Sequence, residues 1–167
     1  MRKICYVFVW LALPLMALGQ TTNPPTHSPF TTKGAFFALS VADLGASASW
    51  YKEKLGMNVV MELKQEKVAV TVLEGSGLIV ELIQNADALP LRKAAPSIKD
   101  AFSIHGLVKA GTIVDDFEGT MAMLKERQVE IFLGPYPAKG NQRANVIIKD
   151  NAGNLIQFFG NKVGSSQ

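Results

Sequence analysis

The chain repeats itself, and that repeat restricts it to folds built from two similar halves. Phe36-Phe37-Ala38-Leu39-Ser40-Val41 alternates with period two, and Asp43 has the right chemistry for a helix N-cap. Leu44, Ala48, Tyr51 and Leu55 then recur at helical spacing before Gly56 stops the helix. About seventy residues on, the order returns. The stretch 108–114 is apolar at nearly every position, Asp115-Asp116 supplies another cap, and Phe117, Met121 and Leu124 share one helical face. Val129-Glu130-Ile131-Phe132 follows as Met57-Asn58-Val59-Val60 did. The remaining periodicity completes both halves. Strands are expected over 57–64, 68–73 and, after the turn Glu74-Gly75-Ser76-Gly77, over 78–83. The second half reads as strand 107–114, helix 117–127, strand 129–133, loop 134–142, strand 143–149, turn Asp150-Asn151-Ala152-Gly153 and strand 154–159. Two βαβββ modules, 34–84 and 107–160, are thus joined by a linker over 85–106, where Pro90 and Pro96 frame a short helix or a lid.

Arg2 and Lys3 precede an apolar run over 4–18, and Ala17-Leu18-Gly19 has the small-residue pattern of a signal-peptide cleavage site. The run contains Pro14 and is shorter than the ~20 residues a spanning helix needs. A signal peptide over 1–19, cleaved near Gly19-Gln20, is therefore the expectation, with no stable membrane insertion afterwards. Cys5 lies too early for a lipoprotein site and lacks the small residues before it. Cleavage removes Arg2 and Lys3, which lowers the formal charge from +3 to +1, and it removes the only cysteine. An exported, nearly neutral, cysteine-free chain suits a bacterial periplasm, or secretion, and offers no basic surplus for nucleic acid. Residues 20–33, rich in Thr and Pro, read as a flexible tether, 34–161 as one domain, and 162–167 as a tail.

The Val41-Ala42-Asp43-Leu44 and Trp50-Tyr51-Lys52-Glu53-Lys54-Leu55-Gly56 strings, their counterpart Val114-Asp115-Asp116-Phe117, and the closing Asp150-x-x-Gly153-Asn154-x-x-Gln157 resemble the vicinal oxygen chelate superfamily. That superfamily includes glyoxalase I, bleomycin-resistance proteins and extradiol dioxygenases. The resemblance implies an α+β fold, in which two βαβββ modules form a paired, curled mixed sheet around a central cleft. It also implies a homodimer, with the modules paired within a chain or exchanged between chains, and a divalent metal on four inward-facing side chains. Counting seven residues back from Asp43 and Asp116 places two of those ligand positions on Phe36 and Lys109; the fourth-strand and last-strand positions fall on Glu81 and Gln157. Phe offers no donor, a protonated Lys has no free lone pair, and an amide is a weak ligand, so the metal site is expected to be degenerate. His105 lies four residues from Lys109, ~13 Å along a strand, too far to substitute. His27 falls in the tether.

A sharper expectation follows from the replacements. Lys109 places an ammonium where the superfamily holds its metal, between the Glu81 carboxylate and the Gln157 amide; the alternative is that the two charges never meet. Strand parity groups Phe36, Ala38 and Ser40 on one side, Ile79, Glu81 and Ile83 on another, Lys109, Gly111 and Ile113 on a third, and Leu155, Gln157 and Phe159 on a fourth. Arg143 and Asn145 alternate with Ala144 and Val146 and so join the same hollow, where Arg143 suits a carboxylate or phosphate. A mostly apolar cleft with a few polar groups is the usual character of a small-molecule site. The leading expectation is an exported, metal-free protein that sequesters a small, partly apolar molecule without a cofactor. Two readings stay open beside it. One is a metal-dependent lyase of the glyoxalase type or a dioxygenase, and the other is a structural or interaction module with a self-filled cleft.

Overall fold

The computed structural model describes residues 35–75, 77–103 and 105–161. The expected signal peptide, tether, tail and Ser76 lie outside the described residues. Strand β1 (Ala35–Ser40) leads to helix α1 (Leu44–Leu55), then β2 (Asn58–Lys64), β3 (Val68–Gly75) and β4 (Leu78–Asn85). The linker holds α2 (Leu91–Ala94) and a 3-10 turn over Ala101–Ser103. β5 (Lys109–Val114), α3 (Phe117–Glu126), β6 (Ile131–Tyr136), β7 (Asn145–Lys149) and β8 (Leu155–Gly160) complete the chain. Each module forms its own four-stranded mixed sheet, in the orders β1-β4-β3-β2 and β5-β8-β7-β6, with β1 parallel to β4 and β5 parallel to β8.

Local chemistry explains the boundaries. Asp43 accepts from the Ala46 N–H at 2.9 Å and Asp116 from the Gly119 N–H at 2.8 Å, so both aspartates serve as N-caps. Gly56 closes α1 in the left-handed conformation with φ of 68°, where a side chain is disfavoured. Three expectations need correcting. The loop expected to start at Gly134 starts later, because β6 runs through Gly134-Pro135 and pairs Tyr136 with Asn145; β6 is an edge strand, where a missing N–H is tolerated. Arg143 precedes β7 instead of opening it. β5 starts at Lys109, two residues later than expected, with His105 in a bend of the linker.

Both helices cover the same kind of sheet face. Leu78, Val80 and Leu82 of β4 are buried with Leu73 of β3, and Val146, Ile148, Ile156 and Phe158 are buried in the second sheet. All of these belong to a single core with Tyr51 of α1 and Leu124 of α3. The modules therefore meet through their helix-side faces.

Among the described residues, three side-chain hydrogen bonds cross that junction. The Lys54 ammonium donates to the Arg127 carbonyl at 2.6 Å, Asn151 Nδ2 donates to Ser47 Oγ at 3.3 Å, and the Tyr51 hydroxyl donates to Asp150 Oδ2 at 3.0 Å. Asp150 is buried, and its carboxylate also accepts from Asn154 Nδ2 at 2.9 Å, from the Asn154 N–H at 2.7 Å and from the Ala152 N–H at 2.9 Å. Four donors offset the desolvation of this carboxylate. Burial, followed by the Asp150 charge and hydrogen bond, pushes the Tyr51 phenol far above its usual range.

Tyr51→Phe should lower stability by about 1–2 kcal/mol in urea melts near pH 7, and Asp150→Ala by about 3 kcal/mol or more because it strands several buried donors. The raised phenol also fixes a sign. Its contribution is intact below about pH 10 and is lost as pH rises further, since the unfolded tyrosine ionises there while the folded one keeps its proton. The stability curves of the native and Tyr51→Phe proteins should therefore converge above about pH 10.

Candidate functional site

The duplication puts corresponding residues at corresponding places. Phe36 pairs with Ile79 and, one pleat on, Ala38 pairs with Glu81. Lys109 pairs with Leu155 and, one pleat on, Gly111 pairs with Gln157. Phe36 thus corresponds to Lys109, and Glu81 to Gln157, in the same register. All four lie on the sheet faces opposite the shared core, because their neighbours along each strand are the ones that pack into it.

On the first sheet this open face carries Phe36, Ala38, Ser40, Ile79, Glu81 and Ile83. Val72 and Met61 continue the row of Glu81 across β3 and β2. It is apolar and uncovered. Phe36 is 68 % exposed, and every residue of β2 is exposed. Ser40 also borders a hollow of about 570 Å³ beside the linker, next to Gln84, Leu89 and Leu91.

On the second sheet Lys109, Gly111, Ile113, Gln157 and Phe159 line a hollow of about 280 Å³. Glycine is required at position 111, since a Cβ there would run into the carbonyl oxygen of Gln157. Gln157 Nε2 donates to Asn145 Oδ1 at 3.0 Å, and Asn145 Nδ2 donates to the Arg143 carbonyl at 3.3 Å. The ladder holds the amide of Gln157 in place beside the hollow. Ile113, at 57 % exposure, Leu133 and Tyr136 leave this face as apolar and open as the first.

A single chain does not bring the two charges together. The ion pairs among the described residues are Lys67 with Asp87 and Lys149 with Glu130, both at 2.9 Å. Glu81 and Lys109 sit on separate sheets whose inner sides share the core, so their own faces look away from it. Within one chain, Lys109 and Gln157 lie on one sheet face and Glu81 on a face of the other sheet. Arg143 does not complete a clamp with Lys109 either, because it lies about six residues along the sheet, roughly 20 Å away. One nitrogen of its guanidinium, Nη1, is buried without a hydrogen-bond partner.

The donor set does not fit a divalent metal. The four corresponding positions hold one carboxylate, one amide, one amine and one phenyl ring, and no three His, Cys, Asp or Glu side chains gather among the described residues. Another hollow, of about 510 Å³, lies at the start of α3, against Asp115, Asp116, Phe117, Met121, Pro135 and Tyr136. Its Asp116 is committed to capping the helix, and none of the four corresponding positions lines it. Sequence reasoning missed the partners of Tyr51 and Asp150; the signal was a hydroxyl on an otherwise apolar helix face, which requires a buried acceptor.

Two duplicated βαβββ modules with corresponding residues on open sheet faces define the paired-module, glyoxalase-like class. Residues 33–158 match the sequence profile of the Glyoxalase/Bleomycin resistance protein/Dioxygenase superfamily, and the chain belongs to that superfamily. Among solved structures it is similar to a glyoxylase/bleomycin resistance protein/dioxygenase domain from Frankia sp. EAN1pec, with 15 % identity, a TM-score of 0.63 and coverage of 82 % of this chain and 96 % of the other. TnmS3, an antibiotic binding protein from Streptomyces sp. CB03234, is similar at 16 % identity and a TM-score of 0.56, covering 81 % of this chain and all of the other. A glyoxalase I variant from Zea mays is similar at 21 % identity and a TM-score of 0.55, with 74 % of this chain matched to 43 % of that one. At these identities the likeness is one of fold. No curated protein matches the chain significantly.

The close approach at Gly111 gives a direct test. Gly111→Ala should cost about 1–3 kcal/mol by forcing β5 and β8 apart. Gly106→Ala, where an added Cβ meets nothing within 4 Å, should change the melt little.

Proposed function

We propose that this is an exported, metal-free binding protein that sequesters a small, partly apolar molecule, and that its cleft closes only when two copies pair. The observation that carries the reading is the pair of open faces. Each is half of a site: apolar walls and a few fixed polar groups on one side, nothing opposite. Exposed apolar surface of this extent marks an interaction site more often than a free monomer surface. Facing the first-sheet surface of one protomer with the second-sheet surface of another yields two equivalent clefts, as a twofold axis requires. In each, Phe36, Ile79, Ile113 and Phe159 supply the apolar walls, and Glu81, Lys109 and Gln157 the polar groups. That an antibiotic binding protein shares this fold supports the binding reading. No helix among the described residues is long and apolar enough to cross a membrane.

Metal content tests the reading against a lyase or dioxygenase. The purified mature protein should carry no stoichiometric divalent ion, and added Ni, Zn, Mn or Fe should leave its melting temperature unchanged. An ion bound only by the folded state raises stability by mass action. Stoichiometric metal, or a rise of several degrees with one ion, overturns the proposal.

A further inference from the structure

Glu81 stands in the middle of the first sheet's open face, flanked across the strands by Ala38 and Val72 and along its own strand face by Ile79 and Ile83. It has no ion-pair or hydrogen-bond partner among the described residues. Covering such a face without a cation would bury an uncompensated charge, which proteins avoid. Lys109 is the reciprocal case. The other lysine on its face, Lys149, is held by Glu130 at 2.9 Å and lies 5.0 Å from the centre of the Phe132 ring, whereas Lys109 is exposed and unpaired. Lys109 lines the open hollow of this face together with Gly111, Ile113 and Phe159. Among the described residues, Glu81 at the centre of one face and Lys109 on the other are thus uncommitted charges of opposite sign.

We propose that Lys109 of one protomer pairs with Glu81 of the partner subunit across the cleft, so that a fixed ammonium takes the place of the metal ion the donor set cannot hold. The inference rests on the two-copy reading above and adds its register. Twofold symmetry makes the pair twice, once in each cleft. The contact fixes which surfaces meet. Glu74, at the edge of the same face, is the competing acid.

Charge exchange distinguishes this from any pairing within one chain. Glu81→Lys places two cations in each cleft of a homodimer, and Lys109→Glu places two acids there. Each should raise the dimer dissociation constant about a hundredfold or more. Mixed together, the two variants should form heterodimers in large excess by native mass spectrometry, because both clefts then hold opposite charges. The doubly exchanged chain Glu81→Lys, Lys109→Glu should recover the homodimer. Statistical mixing with an intact native dimer overturns the ion pair and leaves the two-copy reading standing, as does recovery through Glu74→Lys instead; a monomeric native protein overturns both. Should a reversed chain fail to fold, the neutral substitutions Glu81→Gln and Lys109→Met decide the matter. The pair predicts that the second weakens the dimer far less when the first is present, and additive losses contradict it.

Discussion

The hydrogen bond from the Tyr51 hydroxyl to the Asp150 carboxylate sets the arrangement of everything else. Tyr51 belongs to the first helix and Asp150 to the last turn, so one buried contact ties the helix side of one module to the helix side of the other. The carboxylate is tolerated in the core because three further donors from its own turn saturate it. With both helices turned toward a common core, both sheets must turn their other faces outward. The location of the candidate site is thus a consequence of how the halves are joined.

That geometry explains a contradiction in the sequence. A soluble domain normally hides one side of a sheet and wets the other with polar residues, yet here the outer sides carry Phe36, Ile79, Met61, Ile113, Leu133 and Phe159. The pattern makes sense if each outer face is the inner wall of a cleft whose opposite wall comes from another copy. The amide ladder through Gln157 and Asn145 and the obligatory glycine at position 111 shape the second half-site, while the first is shaped by aliphatic side chains around Glu81.

The βαβββ order was legible from periodicity because its devices are local. Asp43 and Asp116 cap, Gly56 terminates, and alternation in 36–41 and 78–83 marks the inner and outer faces. The register of Phe36, Glu81, Lys109 and Gln157 was legible too, since the duplication supplies an internal ruler. Two things were not. Glycine and proline at 134 and 135 look like a loop, and only their position on an edge strand, a tertiary fact, lets the strand continue to Tyr136. The partition of the cleft residues between two faces was equally hidden, because parity assigns a residue to a side of its own sheet but says nothing of where that side looks. The missing link was Tyr51 with Asp150, ninety-nine residues apart in sequence.

The central claim is that one chain holds two half-sites and two chains hold two whole ones. Sedimentation velocity of the purified mature protein at micromolar concentration tests it most directly. The account predicts a species of twice the chain mass, in which Phe36 and Ile113 become protected from surface labelling. A protein that stays monomeric at that concentration, with both residues labelled at the rate of free side chains, would contradict it.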